Sequence, residues 1–357
     1  MQPLGHLFPR QVCLNPYFRA MIIRPLQLLF WLYLASAASF AQELTIAFGS
    51  CSRQDLADRQ LWKEVLAAQP QVWVWSGDNI YADTRDMSRM REMYDRQKSH
   101  PDYQLLLKSV KVYGTWDDHD YGLNDGGKEF TEKVASKDEL LRFLDVPEDA
   151  AVRNHEGVYQ SYDLKAGSET VRLILLDTRY FRDKLLTSDH PGRRYEISPD
   201  GDVLGEAQWK WLEGELTRPG ASVHMLVSSI QVIPEEHGFE KWANFNASRL
   251  RLMKLIGKTK PAGLFIVSGD RHMAETSHFN VQRLGYPLYE FTSSGLTHTW
   301  TRAGEEQNRY RVGRLIIDRN FGLLHLRWEE GKVKLHYQVM GPDNKVLAED
   351  NITYSLR

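Results

Sequence analysis

The residues best equipped for chemistry in this chain stand at the ends of apolar runs. Val72-Trp73-Val74-Trp75 has the pattern of a buried strand and ends Ser76-Gly77-Asp78, with Tyr81 three residues on. Glycine permits a sharp turn, so Asp78 can face a crevice at the strand's C-terminal end, where open α/β sheets place ligands. One tight turn brings the Tyr81 phenol to the same spot. Aspartate and tyrosinate are hard donors suited to a highly charged cation such as ferric iron. Gly-Asp alone is an ordinary turn. Its weight comes from other runs that end in the same way.

Leu44–Phe48 is predicted as the first strand and leads into Gly49-Ser50-Cys51. A helical pattern over 58–68, stopped by Pro70, joins it to the Asp78 strand. That βαβ unit makes Cys51 a neighbour of Asp78. An isolated cysteine is usually a small buried hydrophobe; the adjacent aspartate favours a thiolate ligand. A third strand, 110–116, ends Asp117-Asp118-His119-Asp120. Carboxylates buried there unpaired would be costly, so metal ligation and acid catalysis are expected over a solvated turn. Asn124 and Asp125 follow in a Gly-rich loop and offer an amide or a carboxylate. A later strand, 262–267, ends Ser268-Gly269-Asp270-Arg271-His272, repeating Ser-Gly-Asp, with Asp270 and His272 able to reach one side. Between these, Asp177 with Arg179 reads as a structural ion pair, and 85–108 as a solvated surface helix broken at His100-Pro101.

The elements that position these groups form an alternating α/β series. From about Tyr286 the pattern becomes β-rich, with a hairpin spanning 323–339 whose alternation buries one face. It is expected to form a second sheet packed on the first. No linker interrupts 42–357, so that span reads as one domain.

Residues 1–41 read as a secretory signal peptide: Arg19 and Arg24, the apolar core Leu26–Leu34, then small residues up to Ala41. Met1 or Met21 can serve as its start. Its three arginines and absence of acids take the net charge from −2 for the whole chain to −5 for residues 42–357. Mild acidity argues against a nucleic-acid surface. Cys13 departs with the leader, leaving Cys51 without an intramolecular disulfide partner. The expectation is an exported protein, periplasmic or extracellular, with no membrane anchor after cleavage.

The ordered set Gly-Ser-Cys51, Gly-Asp78-x-x-Tyr81, Trp-Asp-Asp118-His119-Asp120 and Ser-Gly-Asp270-x-His272 resembles the PhoD-like alkaline phosphatases of the calcineurin-like metallophosphoesterase superfamily. Leu176-Asp177-Thr178-Arg179, Gln208–Leu212 and Thr292-Ser293-Ser294 extend the likeness over nearly all of 42–357. The resemblance implies a four-layer α/β/β/α sandwich, two mixed sheets flanked by helices, with the site at strand C-termini. It also implies two metal ions, ferric iron and calcium. Asp78 would bridge them. Cys51, Tyr81 and His272 would complete the iron site, and Asp118 and Asp270 would face the second metal. His119, beside Asp118, stands where the superfamily places its proton donor. The superfamily's histidine after the fifth strand is missing here, which leaves Asn124 and Gln231 as candidates to finish the second shell.

Such a centre clamps a phosphoryl group and acidifies a bound water for in-line attack, and His119 can protonate the leaving alkoxide. The expected activity is hydrolysis of small phosphate mono- or diesters. A binding module without turnover, or a non-phosphate hydrolase on the same metals, is the alternative.

Overall fold

The computed structural model describes residues 42–301 and 306–356. The predicted signal peptide lies outside the described residues. Strands β1 (Gln42–Gly49), β2 (Val72–Ser76) and β3 (Lys111–Thr115) run parallel and side by side. The helix Trp62–Ala67 makes the crossover between β1 and β2, as the βαβ reading requires.

The chain then builds a second sheet from β4 (Gln160–Ala166) and β5 (Glu169–Leu175). A two-stranded excursion follows, β6 (Leu186–Thr187) with β7 (Tyr195–Glu196). The second sheet continues with β8 (Val223–Ser228), β9 (Leu264–Ser268), β10 (Ala274–Phe279), β11 (Leu288–Ser293) and β12 (Arg311–Ile316). Its order is β12-β10-β11-β9-β8-β5-β4, parallel from β5 through β8 and β9 to β11 and antiparallel at both edges.

Three antiparallel strands close the chain: β13 (Phe321–Glu329), β14 (Lys332–Met340) and β15 (Val346–Ser355). Here the sequence expectation needs correcting. The hairpin does not found a second sheet; β13 pairs antiparallel with β1, and the first sheet reads β15-β14-β13-β1-β2-β3. The free edge of β1 takes a late strand whose inward residues, Leu324 and Leu326, enter the core between the sheets.

Strand alternation separates the layers. In β2, Val72 and Val74 face the inter-sheet core, together with Leu173, Met225 and Phe265 of the second sheet. Trp73 and Trp75 face outward and pack edge-on against Trp62 at 5.0 and 5.3 Å. On the opposite side, Ile174, Leu226 and Ile266 meet Trp209, Leu212, Leu252 and Ile256 from the helices Gly205–Thr217 and Asn246–Thr259. Each such buried side chain contributes on the order of 1.5–3 kcal/mol. Two mixed sheets thus lie face to face between helical layers, the metallophosphoesterase-type sandwich.

The segment predicted as a solvated helix is two helices, Met87–Lys98 and Pro101–Leu106, broken at His100 as expected. It is not simply solvated. Met90, Tyr94 and Gln97 are buried, and the Tyr94 hydroxyl donates to Asp120 Oδ2 at 3.4 Å. The polar faces at 89, 92 and 96 masked this inner stripe. No helix of the described residues is long and apolar enough to cross a membrane.

Candidate metal centre

The C-terminal ends of β1, β2, β3 and β9 converge, and their loops hold unusual backbone. Cys51, Asp78, Asp270 and His272 all have positive φ, at 59°, 50°, 68° and 51°. Four L-residues in the left-handed region within one cluster is strain of the kind stored at functional sites. Gly77 has φ +100°, and a Cβ there would lie 2.5 Å from the Asp117 Cβ. At Gly269 a Cβ would meet Ser50 Oγ and the Ser76 carbonyl, both at 2.6 Å. The two Ser-Gly-Asp turns therefore need glycine so that neighbouring strand ends can approach.

Cys51 Sγ lies 3.4 Å from Asp78 Oδ2, and the Tyr81 hydroxyl lies 3.3 Å from the same oxygen and 2.9 Å from His272 Nε2. On the other side of Asp78 stand Asp118 and His119, and beyond them Asp117 with Asp270. Three groups can each hold a cation: Cys51, Asp78 and His272; Asp78, Asp118 and His119; Asp117, Asp118 and Asp270, each with one donor atom per residue inside 4.8 Å. Asp78 belongs to two of them. Cys51, Asp78, Tyr81, Asp118, His119, Asp270 and His272, separately named from sequence, are thus brought together.

Asn124 is not brought into this cluster. Its side chain is exposed and donates to Asp125 Oδ2 at 2.8 Å. The loop reaches the site through backbone, where the Asp125 N–H donates to Asp118 Oδ2 at 2.7 Å. Gln231 is buried and spends its amide N–H groups on Glu275 and Thr292 at 2.8 and 2.9 Å.

The run Asp117–Asp120 sits on a short helix, Asp118–Tyr121, and its members divide their duties. Asp120 accepts N–H groups from Asp117 at 2.7 Å, Asp78 at 3.2 Å and Asn79 at 3.2 Å, pinning the β2 and β3 loops together. Asp117 takes Arg179 Nε at 2.6 Å and Ser229 Oγ at 2.5 Å. The expected Asp177–Arg179 pair therefore does not form. Asp177 is used by the N–H groups of Val158, Arg179 and Tyr180 and by the Trp116 indole, which frees the guanidinium for Asp117 and Glu240.

Electrostatics are those of a buried acid cluster short of positive charge. Burial, reinforced by neighbouring carboxylates, pushes Asp78 and Asp270 well above the ordinary carboxylate range. Burial does the same to Asp117, to about 7, against the pull of Arg179. The Cys51 thiol and Tyr81 phenol are also raised, chiefly by burial. Burial would lower His119, but Asp118, Asp78 and Asp83 outweigh it and raise it to about 11. His272 is lowered to about 3 by burial and by neighbouring His298 and His119, so it is neutral and free to ligate. Asp118 Oδ1 and Asp117 Oδ2 are buried with no hydrogen-bond partner among the described residues. Orphaned carboxylate oxygens, a neutral imidazole, a phenol and a thiol in one pocket fit cations well.

Several participants were not singled out from sequence. His298 packs 4.4 Å from His272 and 5.3 Å from Tyr81, and Trp300 stacks over His272 at 5.4 Å. The aromatic run His298-Thr299-Trp300 after the Gly295 turn was the available signal. Asp83, 2.8 Å from His119 Nδ1, and Glu240, paired with Arg179 and Arg182 at 2.7 and 2.9 Å, had none. Tyr81 also lines a surface cavity of about 450 Å³ together with Arg53, Arg89, Arg96, Asp55 and Glu92.

The model of the PhoD-like phosphatase family matches residues 46–338. Among solved structures, one described as the structure of PhoD superposes with a TM-score of 0.66 at 16% identity, covering 88% of this chain and 70% of that one. More distant likenesses include the phosphopantetheinyl hydrolase PptH from Mycobacterium tuberculosis (TM-score 0.41, 10% identity, 76% and 96% coverage). Vps29 from Chaetomium thermophilum is another (0.30, 11%, 88% and 100%). No curated protein sequence matches the chain. The family match and the acid and histidine clusters support a metal-dependent phosphoesterase. This chain belongs to the PhoD-like phosphatase family.

Proposed function

We propose that the protein hydrolyses small phosphate mono- or diesters at a two-metal centre that shares Asp78. The observation that carries this reading is that Asp78 stands with Cys51 and His272 on one side and with Asp118 on the other, while Asp118 in turn stands with Asp117 and Asp270. Cys51, Tyr81 and His272 would hold one cation, ferric iron by the family resemblance. Asp118 and Asp270 would hold the other, calcium on the same ground. Asn124 is left out of this set because it is exposed and turned to Asp125, whereas the Gln231 carbonyl oxygen, buried without a hydrogen-bond partner among the described residues, stays a candidate to complete the second site. When bound, such a pair of cations neutralises the phosphoryl oxygens and acidifies a water for attack.

The chain's own residues supply orientation and the proton. Asp83 holds His119 Nδ1, leaving Nε2 for the leaving-group oxygen, and its carboxylate supports the protonated ring. The Tyr81 cavity, with three arginines against two acids, accommodates the rest of an anionic ester. Export with cleavage after Ala41, to the periplasm or the cell exterior, completes the proposal.

The test is hydrolysis of 4-nitrophenyl phosphate and bis(4-nitrophenyl) phosphate by metal-replete and chelator-stripped protein. Metal-dependent release from either supports turnover. Stoichiometric metal with no release from either rejects it in favour of a binding module or a different hydrolase. Sequencing of the secreted protein should begin at Gln42.

A further inference from the structure

Beside the metal centre, the loop 237–241 faces two ways. Inward, Glu240 receives Arg179 and Arg182, and Arg179 continues to Asp117. The Phe239 ring lies between Arg271, 4.5 Å away, and Trp300, which in turn stacks on His272. Outward, His237 and Lys241 line a separate cavity of about 420 Å³.

The two residues are buried without matching partners. Lys241 is 4% exposed; its Nζ donates to the Phe239 carbonyl at 3.0 Å, and it forms no ion pair among the described residues. His237 is 6% exposed, and its Nε2 has no hydrogen-bond partner among the described residues. The Phe239 N–H donates to His237 Nδ1 at 3.3 Å, so Nδ1 is the acceptor and Nε2 of the neutral ring carries the proton. An N–H and an ammonium, both buried and both lacking an acceptor anion, are costly unless a ligand supplies one. The acids of the same cavity are already engaged: Glu235 with Arg249 at 2.6 Å and with Arg309, and Glu236 with the Arg309 N–H at 2.7 Å.

We infer that this cavity is a second oxyanion site, holding a phosphate or carboxylate group between Lys241 and the His237 Nε2–H. The group is either a free phosphate or a second anionic substituent of the substrate; only the latter source rests on the phosphoesterase reading.

Calorimetric titration of metal-replete protein with inorganic phosphate tests the site. Two phosphates per chain are expected, one at each site. Lys241→Gln should weaken the second at least about tenfold, and Lys241→Arg should retain it. His237→Leu should weaken it as well, a check that stands should Lys241→Gln fail to fold. Metal-depleted Asp78→Asn protein should still take one phosphate, which separates failure of the metal-centre reading from failure of this one. Kinetics then identify the source. A KM increase in Lys241→Gln confined to a carboxyphenyl phosphate, with 4-nitrophenyl phosphate unaffected, assigns the site to the substrate. Lost phosphate binding with unchanged KM on both assigns it to free phosphate. No phosphate bound by metal-depleted Asp78→Asn, or unchanged phosphate affinity in both Lys241→Gln and His237→Leu, overturns the inference.

Discussion

The carboxylate of Asp83 lies 2.8 Å from Nδ1 of His119, whose ring stacks on Tyr81 at 4.1 Å. The pair fixes which imidazole nitrogen is left to act on a substrate, since an Nδ1–H held by a carboxylate presents Nε2. His119→Ala should lower kcat by roughly 10²–10⁴-fold on an alkyl phosphate and less on a nitrophenyl phosphate, whose leaving group needs little protonation. Asp83→Asn should show the same leaving-group dependence with a smaller loss. Metal content should persist in both. Equal losses on the two substrates would assign His119 to phosphate or water positioning.

Cys51 separates a ligand from a packed side chain. Its sulfur is buried against Asp78 Oδ2 at 3.4 Å. Cys51→Ala should retain the fold by circular dichroism but lose a bound metal and nearly all turnover. A merely packed cysteine would cost about 1 kcal/mol and leave metal and activity intact.

Tyr81 is expected to colour the protein. A phenolate on ferric iron gives a visible charge-transfer band, and the Tyr81 hydroxyl sits within 3.3 Å of Asp78 and 2.9 Å of His272. Tyr81→Phe should abolish or strongly shift the band. Iron-loaded wild-type protein without visible absorption would remove Tyr81 from the ligand set.

Much of the centre was legible because its chemistry is local. Each Ser-Gly-Asp turn couples a buried apolar run to a carboxylate that no core could tolerate, and the parallel βαβ arrangement makes such strand ends converge. Less legible were features set by distant pairing. The β13–β1 ladder joins Trp328 to Gln42, a register that no local pattern encodes. Asp117 and Asp118 are adjacent in sequence but differ in role, because only the folded chain brings Arg179 and Ser229 to Asp117. His298 enters the site on a loop without strand or helix periodicity, and Asp83 meets His119 only across 36 residues of folded chain.

Glu290 gives a pH test away from the centre. It is buried, and burial raises it from 4.5 to about 7 although the Val232 and Ile233 N–H groups pull it down. The folded state therefore holds its proton more tightly than the unfolded state between these values, so this residue's contribution to stability falls as pH rises from 4.5 through 7. Glu290→Gln should remove that part of the slope. In urea unfolding, the wild-type-minus-variant stability difference should change by about 3 kcal/mol between pH 4.5 and pH 8. Parallel pH profiles would show that Glu290 stays ionised throughout.

The most direct measurement is the metal content of Asp78→Asn by elemental analysis, with hydrolysis of a nitrophenyl phosphate followed on the same preparation. A carboxylate shared by both donor groups predicts about two metals per chain in the wild type. It predicts loss of one or both in the variant, with turnover down at least about a thousandfold, while circular dichroism is unchanged. Two tightly held metals and near-wild-type turnover in Asp78→Asn would contradict a centre built around Asp78.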